Sequence, residues 1–234
     1  MGNLLTSIIG RELIMSVSGL FLVLFLLFHM SMNLAAVFST EAYNAICEFL
    51  GANWYALAGT LILAAGVVVH LVYATVLTLH NRSSRGSQRY AMTAEPEGVT
   101  WASRNMYVLG IIIVLGLLLH LYNFWYNMPF AEIIGNHELG PFPPADGAAY
   151  IAALFSSPVY CIIYLVWFAA IWFHLTHGFW SAFHTIGWDN QTWLPRLKRI
   201  ANVVATIVFL CFALVVIVFY LRSLGVCGGS CAGF

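Results

Sequence analysis

Apolar residues run in five long blocks along the chain, at about 12–38, 54–80, 104–127, 157–186 and 199–223. Each is long enough for the roughly 20 apolar residues that carry a helix across a bilayer. Alternating strand-like patterning is not the dominant signal, so the pattern predicts an all-α bundle of five transmembrane helices forming one domain over residues 1–234. The first block, from Leu13 to about Phe38, outruns the 7–15 residues of a signal-peptide core and lacks a small-residue cleavage site. It is read as a retained span. Between the second and third blocks lies the polar stretch HNRSSRGSQRYAMTAEPEG, placed on the membrane surface. The segment NMPFAEIIGNHELGPFPPADG, rich in Pro and Gly, reads as a loop and not as a separate domain.

Composition sharpens this picture. Of 234 residues, 62% are hydrophobic and 8% are charged, with a mean hydropathy of +0.88. A soluble domain carries about 25% charged residues, so this chain cannot clothe a water-facing surface. Its formal net charge is zero, which gives no case for a nucleic-acid partner.

Charge placement then sets the orientation. Arg11, Arg82, Arg85, Arg89, Arg104, Arg196, Lys198 and Arg199 all fall at one end of the bundle. The opposite loops, 39–53 and 128–156, hold Glu41, Glu48, Glu132, Glu138 and Asp146 and no Lys or Arg. The positive-inside rule puts the N-terminus in the cytoplasm and the C-terminus outside.

Histidines change the picture most. His29, His70, His80, His120, His174, His177 and His184 lie in or at the ends of spans, and His137 lies in an outer loop. Ionisable residues inside a membrane are rare and face the bundle interior. At about 1.5 Å per residue, His29 and His120 lie roughly 27 and 24 Å from their basic markers, Arg11 and Arg104. His70 and His174 lie roughly 18–21 Å from theirs, Arg82 and Trp188. Two histidine pairs at two depths, each from two helices, suit two bis-histidine haems stacked along the membrane normal. Two axial imidazoles fill both open positions of haem iron and favour electron transfer. Zinc, which takes a compact set of three or four ligands, suits this layout less well.

Glycines near the histidines agree with a flat ring between helices. Gly66 and Gly116 stand four residues before His70 and His120, and Gly178 four after His174. Gly19 is ten before His29. The cysteines say less. Cys47, Cys161 and Cys211 read as small hydrophobes, and Cys227 and Cys231 form a CxxxC in the tail.

The stretches SGLFLVLFLLFHM (18–30), HLVYATVLTLHNR (70–82), LLLHLYNFW (117–125) and HLTHGFWSAFHTIGW (174–188) make a specific resemblance. The chain resembles the five-helix dihaem cytochrome b membrane subunit of succinate:quinone oxidoreductases, a family that includes quinol:fumarate reductases. The resemblance implies two haems b, with His29 and His120 as axial ligands of the outer and His70 and His174 of the inner. A following Gly178 selects His174 over His177, which has Ser181 at that offset. It also implies a flavoprotein subunit with FAD and an iron–sulfur subunit on the cytoplasmic side, with menaquinone or its quinol as redox substrate. Membrane lipid and, in a dimeric complex, a second copy are further partners. The bacterial inner membrane is the implied location.

Glu48 is the first candidate for the acid–base group at the quinol site and Glu41 the second. Arg11, Ser16, Arg82, Trp101, Arg104 and His184 sit at a depth suited to haem propionates. Some family members carry a Glu two residues before the fourth-span ligand, where it is implied to help protons cross, and here Trp172 stands at that position, a departure from that pattern. Competing readings are a dihaem cytochrome b of the hydrogenase or formate dehydrogenase type, and a transporter or proton channel with a histidine relay.

Overall fold

The computed structural model describes residues 7–51, 53–84, 100–188 and 190–226. Arg85, Arg89, Cys227 and Cys231 lie outside them. Among the described residues there is no strand, and five helices are long and apolar enough to cross a membrane. The chain is a multi-pass all-α membrane protein.

The elements are α1 (Ile8–Phe38), α2 (Thr40–Phe49), α3 (Trp54–Ser84), α4 (Trp101–Arg104), α5 (Met106–His120), α6 (Pro129–Ile133), α7 (Gly147–Phe155), α8 (Pro158–Thr185) and α9 (Trp193–Ser223). A π-helical turn, Leu121–Trp125, continues α5. The spans agree with the hydropathy blocks, with end shifts of a few residues and one break. That break is at Asn105, where α4 ends before α5 begins.

Helix ends follow side-chain chemistry. Ser7 Oγ accepts from the backbone N–H of Gly10 and opens α1. Ser39 serves two helices: its N–H donates to Ala35 O at the end of α1, and its Oγ accepts from Ala42 N at the start of α2. Pro158 occupies the first turn of α8, where a missing N–H costs nothing. α8 stops at Gly187, whose φ of +79° is a left-handed conformation that glycine adopts without penalty. Trp188 N then donates to Phe183 O and Gly187 N to His184 O, the paired bonds of a Schellman closure.

Packing is uneven. α8 and α9 form the most extensive helix pair, and α1 packs on α3, α8 and α9, while α5 packs on α8. Phe219, Val208 and Val216 of α9 are the largest fully buried side chains. α3 touches mainly α1 and buries only Leu77. Much of its surface faces outward, as a lipid-facing helix does.

The outer loops differ from expectation, since they contain helices. α7, with the sequence GAAYIAALF, is small and apolar enough to bury Ala148, Tyr150, Ile151 and Phe155 in the bundle. Asp146 Oδ1 caps it by accepting from Ala149 N and ties it to α2 by accepting from Asn44 Nδ2 at 2.8 Å. Asn44 Oδ1 in turn accepts from Ala148 N. Arg222, the ninth basic residue and among the described residues the only Lys or Arg at the outer end, donates to Val37 O at 2.8 Å and so caps α1 from α9.

Candidate functional site

Two histidine pairs form inside the bundle. The imidazoles of His29 on α1 and His120 on α5 have ring centroids 5.7 Å apart and nearly perpendicular planes. Those of His70 on α3 and His174 on α8 have centroids 6.4 Å apart, also edge to face. Depth along the sequence grouped the same residues. A level difference is visible on α1 itself. His70 lies against Gly19, where an added Cβ would sit 3.2 Å from its Cε1, ten residues before His29. That is about 15 Å along a helix axis.

The outer pair stands among aromatic rings. Phe25 stacks on His29 one turn earlier on α1, and Phe212 of α9 approaches it at 6.0 Å. His120 meets Phe124, Trp167 and Tyr164 at 5.0, 5.6 and 6.2 Å. One polar group reaches the pair: Asn33 Nδ2 lies 3.3 Å from His29 Nε2 while donating to His29 O at 2.8 Å. Tyr43 of α2 donates to Asn33 Oδ1, so the outer cap is joined to the pair through a side-chain chain. His120 is the last residue before the π-helical turn, a local widening of the helix that recurs at functional sites.

The inner pair has a more polar floor. His70 Nδ1 lies 3.3 Å from Met15 O and 3.4 Å from Ser18 Oγ. Ser18 Oγ itself donates to Met15 O at 2.9 Å. A ring nitrogen held this way has its orientation fixed by its neighbours.

Each pair also contains an orphan. Nδ1 of His120 and Nδ1 of His174 are shielded from solvent and have no hydrogen-bond partner among the described residues, and the same holds for Nδ1 of His177. A buried polar atom without a partner costs free energy, and a bound ion or group is one way to offset that cost. No hydrogen bond joins the two rings within either pair.

The geometry can be tested against one metal between two imidazoles. Metal–nitrogen bonds of about 2.0–2.1 Å, with half a ring on each side, separate ring centroids by roughly 6–6.5 Å. The inner pair, at 6.4 Å, has that span, and the outer, at 5.7 Å, is a few tenths shorter. Among the described residues no three of His, Cys, Asp and Glu are grouped so that they could hold a metal ion. Each pair thus offers two imidazoles, and the inner one has the separation that a single metal between them would need.

Gly66 and Gly116 do not open onto the slot expected beside them. The space beside Gly66 is filled by the Phe21 ring and that beside Gly116 by the Trp167 indole, whose Nε1 donates to Ile113 O at 3.1 Å. Aromatic rings pack on these bare backbones instead of leaving a slot. Gly178 differs: its nearest neighbours are Met106 Cε at 3.5 Å and His174 Cδ2 at 3.8 Å, ordinary contacts beside the inner pair.

Other candidate residues fall at varied places. His177 meets Trp180 edge to face at 5.0 Å and joins neither pair. His80, His184 and Arg82 are exposed at the basic end of their helices, Arg11 is half-buried and Ser16 is buried. Trp101 is 54% exposed at the same end. Glu41 and Glu48 are both exposed on α2. Glu132 on α6 is half-buried and its carboxylate packs against Gly51. Trp172 donates to Thr206 Oγ1 at 3.0 Å. Ser18, Asn33 and Tyr43 were not singled out from sequence. A hydroxyl eleven residues before a histidine on one helix gives no cue that it serves a histidine on another.

No family model, curated protein or solved structure matches the chain.

Proposed function

We propose that this chain is the dihaem cytochrome b anchor of a succinate:quinone oxidoreductase or quinol:fumarate reductase in a bacterial inner membrane. The observation that carries the reading is the pairing of His29 with His120 and of His70 with His174 at two levels, with a shielded, partnerless nitrogen in each pair. The four sequence stretches around these histidines supply the family.

In this reading His29 and His120 hold the outer haem, and His70 and His174 the inner. Haem held by two imidazoles supplies one-electron transfer chemistry. The chain's own residues do the rest. Phe25, Phe124, Tyr164, Trp167 and Phe212 keep water from the outer pair. Asn33 on one level, and Met15 O with Ser18 on the other, fix the rings of His29 and His70. Basic residues from Arg11 to Arg199 form the end that meets the iron–sulfur and flavoprotein subunits. Menaquinol delivers or receives electrons at the outer end, where Glu48 is the candidate acid–base group on the exposed side of α2. Trp172, its N–H held by Thr206, offers no proton route beside His174.

The test is purification from the native membrane. The reading expects a reduced b-type absorption band, a covalent-FAD polypeptide and an iron–sulfur polypeptide in one complex. Absence of the band would contradict haem binding altogether. Presence of the band without the flavoprotein would point to the hydrogenase or formate dehydrogenase type. At residue level, His174→Ala is expected to lose one haem and His177→Ala none.

A further inference from the structure

A groove of about 470 Å³ opens at the basic end between α4, α8 and α9. It lies outside the histidine pairs, and Lys198, Trp180 and Asn202 have no task in the proposed electron path. Its chemistry is lopsided. Lys198 places its ammonium 4.6 Å from the Trp180 ring centroid and has no carboxylate partner among the described residues. Among the described residues the indole N–H groups of Trp101 and Trp180 and the side-chain amide of Asn202 also meet no protein acceptor there. Among the described residues no Asp or Glu lines the groove. An ammonium and an indole N–H are donors only, so the side of the groove formed by Lys198 and Trp180 suits an anion.

The remaining walls are apolar. Phe173 and Trp101, 37% and 54% exposed, leave the groove open sideways along the bundle surface. In a membrane that side faces lipid. Lys198 is in the second turn of α9, and Trp180 is five residues before the end of α8, so the donors sit near the depth of head groups. Basic pockets between helices on the cytoplasmic side bind acidic head groups.

We propose that this groove binds an acidic glycerophospholipid from the leaflet at the basic end. Its phosphate takes donors from Lys198, Trp180 and Asn202, and its acyl chains run along Phe173 and Trp172. The assignment stands apart from the haem reading, because it uses neither pair.

Native mass spectrometry of the full chain, purified in a neutral detergent and titrated with phosphatidylglycerol or phosphatidylcholine, tests it. Phosphatidylglycerol is expected to bind at roughly fivefold lower concentration, the effect of about one lysine near a surface. Lys198→Gln is expected to bring the two lipids level, and Lys198→Arg to keep the preference. If Lys198→Gln does not fold by circular dichroism, Trp180→Phe keeps the ring, removes one donor and is expected to give a smaller loss. Equal binding of the two lipids by the wild-type chain, or an unchanged preference in Lys198→Gln or, where that variant does not fold, in Trp180→Phe, would overturn the proposal. So would displacement of phosphatidylglycerol by millimolar inorganic phosphate, which marks a free-anion site, or by a naphthoquinone, which marks a quinone pocket.

Discussion

The outer and inner histidine pairs share a chemistry and differ in their surroundings. Around the outer pair, rings from α1, α5, α8 and α9 close in, and α2 and α7 lie over the end. The inner pair rests on backbone and hydroxyl oxygens of α1. Beside it runs an apolar groove of about 500 Å³ between α1 and α3, lined by Val17, Ser18, Phe21 and Gly66 among others. The difference follows from α3, which contributes His70 but packs mainly on α1. One pair is thus built into the core of the bundle and the other into its flank.

Core and flank should respond differently to truncation. Phe212, 8% exposed, stacks on Phe168 and faces His29. Phe212→Ala is expected to cost about 3 kcal/mol in detergent unfolding. Phe21, 36% exposed over Gly66, is expected to cost about 1 kcal/mol in the same assay because lipid or detergent fills the space. Equal costs would erase the contrast.

Adding a methyl group probes the same difference with a smaller effect. A Cβ at Gly116 would collide with the hydrogen-bonded Trp167 indole, so Gly116→Ala is expected to lose about 2 kcal/mol. At Gly178 the added atom meets only ordinary contacts, and Gly178→Ala is expected to be neutral or to gain up to about 1 kcal/mol from helix propensity. Thermal melts followed by circular dichroism separate the two.

Removing the polar supports should change less again. Asn33→Leu breaks the link from Tyr43 to His29 and is expected to cost about 1 kcal/mol. In the haem reading proposed above, it should also shift the redox midpoint of the outer pair and leave the inner one. Ser18→Ala should do the reverse with a smaller shift, because Met15 O still faces His70.

Cys47, in the outer cap, offers the mildest test. Burial is the main cause that pushes its thiol up to about 11, with Tyr43 and Gly147 opposing. A raised thiol pKa leaves little thiolate at neutral pH, so alkylation by iodoacetamide should be slow at pH 8 and accelerate towards pH 11. Fast labelling at pH 8 would show the cap to be open.

Much of this architecture was legible before any coordinates. Long apolar blocks name their own spans, because a bilayer demands length and hydropathy together. Two histidine depths could be counted from basic markers for the same reason. Short elements were not legible. α2 and α7 are ten and nine residues long, and their helicity rests on Ser39, Asp146 and tertiary burial, which a hydropathy window does not see. The ring packing at Gly66 and Gly116 was also out of reach, since Phe21 and Trp167 come from other helices. Arg222 drew no notice in the sequence, and its role as a cap for α1 appears only when α1 and α9 are side by side.

The central claim is the pairing, and paired substitutions test it most directly. Haem b per chain is measured on purified wild type, on His29→Ala with His120→Ala, and on His29→Ala with His70→Ala. Two haems are expected in the wild type, one in the first double variant and none in the second. One haem in the second variant, with none in the first, would show that the histidines are shared out differently and would contradict the account.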